Sequence, residues 1–172
     1  MSAAFFPSQL GFGVSRATEA AGHTTRCYLQ HVQPDYGVVK FYFSNAFNSV
    51  FRDVLLQSVY KQLPELHPFV HLCYSKSSHL RFCDFLLSSD KGAQQGDPLG
   101  PMLYCMSTLQ LTRVISSELN IWYLDDGTIG GQIDDLCRDV TAVKSIGESV
   151  GLQLNESKCE IITDDVSKYV SK

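Results

Sequence analysis

The sequence predicts an α+β fold, an antiparallel sheet with helices packed on one face. Three observations carry this expectation. Short β-branched and aromatic segments alternate with segments of helical period. Glycine, proline and aspartate clusters punctuate them, and no internal repeat or low-complexity tract interrupts the order. At 172 residues and 44% hydrophobic, the chain can bury one sizeable core, so a single domain over 1–172 is expected.

The first predicted strand is GVVKFYF, residues 37–43. From Asn45 the period changes: Phe47, Val50, Phe51, Val54, Leu55 and Val59 recur at helical spacing and predict one helix up to the break at Pro64. Residues 79–89, HLRFCDFLLSS, read as a strand or hairpin arm, and residues 91–101, KGAQQGDPLGP, as a loop. A helix over 102–119 follows, with prolines at its start. IWYL, residues 121–124, is the next strand and runs into Asp125-Asp126-Gly127, which is turn chemistry for a hairpin. Asp134 is expected to cap a helix through Leu136, Val140, Val143 and Ile146 that Gly151 ends. CEIIT, residues 159–163, is the last strand.

Composition excludes several classes. There is no run of about 18 apolar residues and no basic leader followed by an apolar core, so neither a membrane partner nor a signal segment is expected, and the location reads as intracellular and soluble, nuclear or cytoplasmic. Six cysteines without a CxxC pair read as reduced core thiols. His67, His71 and Cys73 have helical spacing but no fourth ligand nearby, which argues against zinc. The net charge of −4 has the wrong sign for a domain that grips nucleic acid alone through phosphates.

The adjacent carboxylates of Asp125 and Asp126 follow Trp122, Tyr123 and Leu124, an approach that packing would bury. Like charge there needs an offsetting cation, and hard oxygen ligands without histidine or thiolate suit Mg²⁺, with Mn²⁺ as an alternative. Two metals about 4 Å apart require a third, bridging carboxylate from a neighbouring strand.

KFYFSNAFNSVFRD, AQQGDPLGP, WYLDDGTIGG and GLQLNESKCEII, in that order and spacing, resemble the four palm motifs of a reverse transcriptase of the non-LTR retroelement type. FPSQLGFGVSRATEAAGH also resembles the segment that precedes the first motif. A nucleotide cyclase has a related palm, but its Gly-Gly-acid-acid turn is absent. The resemblance implies a polymerase palm with part of the fingers, acting on an RNA template, a DNA primer and deoxynucleoside triphosphates. It implies Asp125 and Asp126 as catalytic metal ligands, and Phe47 as the aromatic gate beneath the sugar of the incoming nucleotide. Gln95, Gly96, Asp97 and Pro98 become the loop that supports template and incoming base, and Lys158 the lysine that approaches the triphosphate.

One departure is decisive for activity. The first-motif aspartate of the family aligns with Tyr42, and a neutral phenol with a pKa near 10 cannot bridge two cations. Neither Asp35 nor Asp53 can stand in, one preceding the strand and the other lying well along the following helix. Losing several kcal/mol of metal stabilisation costs on the order of 10²-fold to 10⁴-fold in rate. The resemblance also implies that the upstream fingers and the thumb lie outside this chain, which accounts for its acidic balance. The expectation is an impaired polymerase domain, the alternative a noncatalytic retroelement remnant or a nucleic-acid or protein-binding module. Apolar surface, for instance around Trp122 or Phe85, is expected to be exposed where those neighbours are missing.

Overall fold

Alternation of Val39 and Phe41 on one side with Val38 and Lys40 on the other makes Tyr36–Phe41 the central strand, β1. It is defined in a computed structural model that describes Phe5 and residues 7–164. A helix α1 (Ala17–Gln30) precedes it. After it come α2 (Ala46–Ser49), α3 (Arg52–Gln62), α4 (His67–Tyr74), the hairpin β2 (Ser78–Phe82) and β3 (Phe85–Ser89), and α5 (Gly100–Arg113). The second half is β4 (Leu119–Tyr123), β5 (Asp126–Gln132), α6 (Ile133–Ser149) and β6 (Glu160–Thr163). The sheet has the order β4-β5-β1-β6, antiparallel throughout, so the α+β reading holds.

Its buried face carries Val39, Phe41, Phe43, Trp122 and Ile129 against Tyr104 and Leu111 of α5 and Leu136 and Val143 of α6. A second cluster joins Leu55 and Val59 of α3, Val70 and Tyr74 of α4, and Met102, Leu103 and Met106 of α5. Because α5 contributes to both clusters, nearly all of its residues are buried. The helix α1, which the sequence reading does not contain, touches β4, and its Tyr28 ring covers Gly130. There a Cβ would lie 2.7 Å from the ring.

Several boundaries differ from expectation for local reasons. The helix expected from Asn45 to Pro64 is two helices, because Val50 and Phe51 are extended at ψ 133° and 132°. Their backbone groups bond elsewhere: Gly92 N–H donates to the Val50 carbonyl at 2.7 Å, and Phe51 N–H to the Val150 carbonyl at 3.0 Å. The helix expected over 102–119 stops at Arg113, since the next turn is drawn to Asp139 by Ser116 and Ser117. Asp134 lies in the first turn of α6, and the cap position is Gln132. Gly151 does end that helix, at φ 93°. Residues 79–89 are part of a separate two-stranded hairpin. Of the six cysteines, all free, only Cys105 is buried, where burial pushes its thiol up to about 12. Of the two places named for exposed apolar surface, Phe85 is 69% exposed, while Trp122, in the approach to the acidic pair, is 2% exposed.

Candidate active site

The acidic hairpin is tighter than Asp-Asp-Gly turn chemistry implies. Tyr123 pairs with Asp126, so Leu124 and Asp125 alone make the turn, and the left-handed residue is Leu124 at φ 56°. Gly127 already belongs to β5 and is required for a different reason. A Cβ there would lie 2.6 Å from the Trp122 ring, which lies across this glycine and stacks on Phe41 at 5.6 Å and 13°. The Trp122 Nε1–H donates to Asn120 Oδ1 at 2.9 Å. Thus the glycine that marks the turn in the sequence serves the packing beneath it.

On the open face, directly paired residues of antiparallel strands share a side. One step beyond the Phe41↔Gly127 pair, Tyr42 lies opposite Asp126; on its other side Asn155 N–H donates to the Tyr42 carbonyl at 2.8 Å, and the turn that follows Asn155 carries Lys158. Tyr123, Asp126 and Tyr42 therefore form one row across the end of the sheet, with the Lys158 side chain over Tyr42. The Lys158 Nζ sits 4.6 Å from the centroid of the Tyr42 ring. Beside them is a cleft of about 330 Å³ lined by Lys40, Tyr42, Ser157, Lys158 and Glu160.

Asp125 is at the turn itself and half-buried. Burial raises its carboxyl above the ordinary value, its own backbone amide lowers it, and the charge of Asp126 raises it. Tyr104, reaching up from α5, is held well above the usual phenol value by burial and then by Asp125. Phe47 stacks on Tyr104 at 4.5 Å and 19°, so the expected gate residue rests on a buried ring.

The loop with Gln95, Gly96, Asp97 and Pro98 is tied to the same place. Ala93 N–H donates to the Phe47 carbonyl at 2.9 Å, and Gly92, at φ 66°, lies so close to Phe47 and Asn48 that a Cβ would be 2.3 Å from the Phe47 carbonyl oxygen. Asp97 accepts from the Tyr74 hydroxyl and, at 2.8 Å, from Leu99 N–H, whereas Gln95, Gly96 and Pro98 are exposed. Gly96 takes φ 88° with open space around it. Arg52, 7% exposed, braces the loop: its guanidinium donates to the carbonyls of Gly92 (3.3 Å) and Lys76 (3.0 Å) and to Ser89 Oγ (3.1 Å), and lies 5.5 Å from the centroid of the Tyr74 ring.

Sequence reasoning missed Arg52, Tyr74 and Tyr104. It missed Gln9 as well, whose amide bonds both backbone groups of Leu124. Their only signal is residue type: a polar or charged group inside an apolar run, which burial obliges to find partners.

As a metal centre the set is incomplete. Asp125 and Asp126 offer hard oxygen ligands, but Tyr42 adds no negative charge opposite them, and among the described residues no group of three or more His, Cys, Asp or Glu could hold an ion. The residues fit a single cation completed by water, not a carboxylate-bridged pair.

The sequence matches the family described as reverse transcriptase (RNA-dependent DNA polymerase) over residues 1–170. The chain belongs to the reverse transcriptase family. Reverse transcriptases generally use divalent metal ions. A similar protein is the retrotransposable element SLACS 132 kDa protein of Trypanosoma brucei gambiense, 26% identical over 129 residues, 69% of this chain and 11% of that protein. The fold is similar to telomerase from Candida albicans solved with a TWJ fragment of telomeric RNA (TM-score 0.64, 12% identity, 94% of this chain and 32% of that one). It is also similar to telomerase from Candida tropicalis solved with such a fragment (TM-score 0.65, 15% identity, 95% and 31%). The reverse transcriptase chain thus spans about a tenth of the trypanosome protein and about a third of the telomerase chains.

Proposed function

We propose that this chain is the palm of an RNA-directed DNA polymerase whose nucleotidyl transfer is impaired by Tyr42. The observation that carries the proposal is the row on the open face, with Tyr42 opposite Asp126 and beneath Lys158. Asp125 and Asp126 would hold Mg²⁺, or Mn²⁺ in its place. When bound, such an ion polarises phosphoryl oxygens and activates the attacking hydroxyl. Phe47, supported by Tyr104, lies beneath the sugar of the incoming deoxynucleotide, and the Gln95–Pro98 loop supports template and base. Lys158 is the cation for the triphosphate, and the Tyr42 ring competes for it. RNA template and DNA primer are held with the help of fingers and a thumb, consistent with the acidic balance of this chain.

A noncatalytic retroelement remnant, or a binding module, is the second reading. It is favoured by the same residue: where the family needs a carboxylate, this chain has a phenol engaged with Lys158.

The test is Tyr42→Asp in a longer product that includes fingers and thumb, on a primed RNA template. Mg²⁺-dependent deoxynucleotide addition is expected to rise on the order of 10²-fold or more, and a further Asp125→Asn change to abolish the gain. Equal activity before and after the first change would mean that the metal site lies elsewhere. No activity in either protein favours the remnant.

A further inference from the structure

We propose that Gln9 is a positioning residue that fixes the Leu124–Asp125 turn and so the place of the Asp125 carboxylate. Its meaning for catalysis rests on the metal-ligand reading of Asp125; the clamp itself does not.

Gln9 is 1% exposed and every hydrogen-bonding contact of its side chain is directed at this turn or at its own loop. Its Nε2 donates to the Leu124 carbonyl at 3.0 Å, while its Oε1 accepts from Leu124 N–H at 2.9 Å and from Gly11 N–H at 2.9 Å. Leu10 N–H donates to the Trp122 carbonyl and Trp122 N–H to the Ser8 carbonyl, each at 2.7 Å, so residues 8–10 run as a short parallel bridge beside β4. The Gln9 amide continues that pairing one step further, at Leu124, where the chain has begun to turn. It replaces the strand neighbour that Leu124 lacks.

Such a replacement is needed because Leu124 is left-handed at φ 56°, a conformation that a leucine adopts only where its surroundings hold it. Gly11 completes the seat. A Cβ there would lie 2.5 Å from Leu124 N and 2.6 Å from its Cγ, so only glycine lets the Leu124 backbone approach. At neutral pH an amide alone among side chains of this length offers a donor and an acceptor in one plane. Asp125 follows directly, and no other side chain in the described residues bonds the Leu124 backbone.

The test uses the full chain, ¹⁵N-labelled, as found and with Gln9→Met or Gln9→Glu. In Gln9→Met the order parameter of the Asp125 amide is expected to fall from about 0.85 to below about 0.6, while Val143 in the core keeps its value. In Gln9→Glu the protonated carboxyl can both donate and accept, so Asp125 order is expected to return at acidic pH and to be lost at alkaline pH. Unchanged order at Asp125 in both variants, or an equal loss at Asp125 and Val143, would overturn the clamp. Should Gln9→Met not fold, the pH response of Gln9→Glu decides. Mn²⁺ added to the same samples separates the two readings. Broadening at Gly127 in the unchanged protein that weakens at least about 10-fold in Gln9→Met supports positioning for the metal, and unaltered broadening refutes it. No broadening in the unchanged protein defeats the metal-ligand reading and leaves the clamp to the order parameters.

Discussion

Lys158 rests on the face of Tyr42, its Nζ 4.6 Å from the ring centroid, beside the acidic end of the sheet. At an exposed site such a contact contributes about 0.5–1 kcal/mol, so it holds the lysine over the ring without burying it. Replacing Tyr42 by aspartate exchanges that contact for a surface ion pair of similar size, about 0–1 kcal/mol, which a cation can displace. Tyr42→Asp is therefore expected to raise Mg²⁺ affinity at least about 10-fold, measured by calorimetric titration, and Asp125→Asn to remove the gain. Equal affinity for the two proteins would show that Tyr42 does not face the acidic pair.

Gly127 tests the packing beneath the acidic turn. In Gly127→Ala the new methyl meets the Trp122 ring at 2.6 Å, so the ring must leave its stack on Phe41. Overpacking of this kind costs about 1–3 kcal/mol. The chain has one tryptophan, so its fluorescence reports the change directly. A lowered urea midpoint and a red-shifted native emission are expected, and an unchanged spectrum would refute the role given to the glycine.

Much of this was legible in the sequence, and the gaps have physical causes. The acidic hairpin, the helix after it and the glycine that ends that helix depend on local period and turn chemistry, which a sequence displays. The break at Val50 and Phe51 is hidden, because apolar residues continue at helical spacing across it and the backbone partners are Gly92 and Val150. What covers Trp122 is hidden as well, because its stacking partner, Phe41, comes from another strand. Gln9 acts on a residue 115 positions away, and a lone glutamine carries no pattern that points there.

Asp139 makes the acid limit of stability predictable. It is buried, which pushes its carboxyl up, but amide and hydroxyl hydrogen bonds from Ser117 and Ser116 outweigh burial and hold it below the usual carboxylate range. A carboxyl lowered in the folded state stabilises fully above its unfolded value of about 3.9, and that contribution is lost as pH falls through the folded value. Urea unfolding at about pH 7 should show Asp139→Asn to be less stable by about 1–3 kcal/mol, with the difference shrinking from about pH 5 downward. A difference that grows toward acid would reverse the sign and refute the assignment.

Self-association should follow from the hairpin of β2 and β3, where Leu80, Phe82, Phe85 and Leu87 share one face and are all more than half exposed. Contiguous apolar surface of this kind drives association. Light scattering of the chain at high concentration is expected to show species larger than a monomer, and Phe82→Ser with Phe85→Ser to reduce them. A stable monomer before the changes would mean that the hairpin is tolerated in water.

Arg52 couples stability to the loop that carries Gln95, Gly96, Asp97 and Pro98. Its guanidinium satisfies two carbonyls and a hydroxyl from three separate segments, at Gly92, Lys76 and Ser89, and covers Tyr74, whose hydroxyl, pushed up to about 12 by burial and by its bond to Asp97, stays a donor to that carboxylate. Arg52→Met keeps the apolar stem but leaves those acceptors without a partner, at about 1–3 kcal/mol for each one that water cannot reach. Arg52→Lys keeps the charge but not the fork, so it should recover only part of the loss. Hydrogen exchange at Ala93 and Leu99, whose amides fasten the loop to Phe47 and Asp97, should accelerate in both variants and more in Arg52→Met. Exchange at Ile129, in the sheet, should rise only by as much as global stability falls. If Ala93, Leu99 and Ile129 accelerate together, Arg52 is a general core residue; if the first two lead, it is the brace that holds Gln95, Gly96, Asp97 and Pro98 against Phe47.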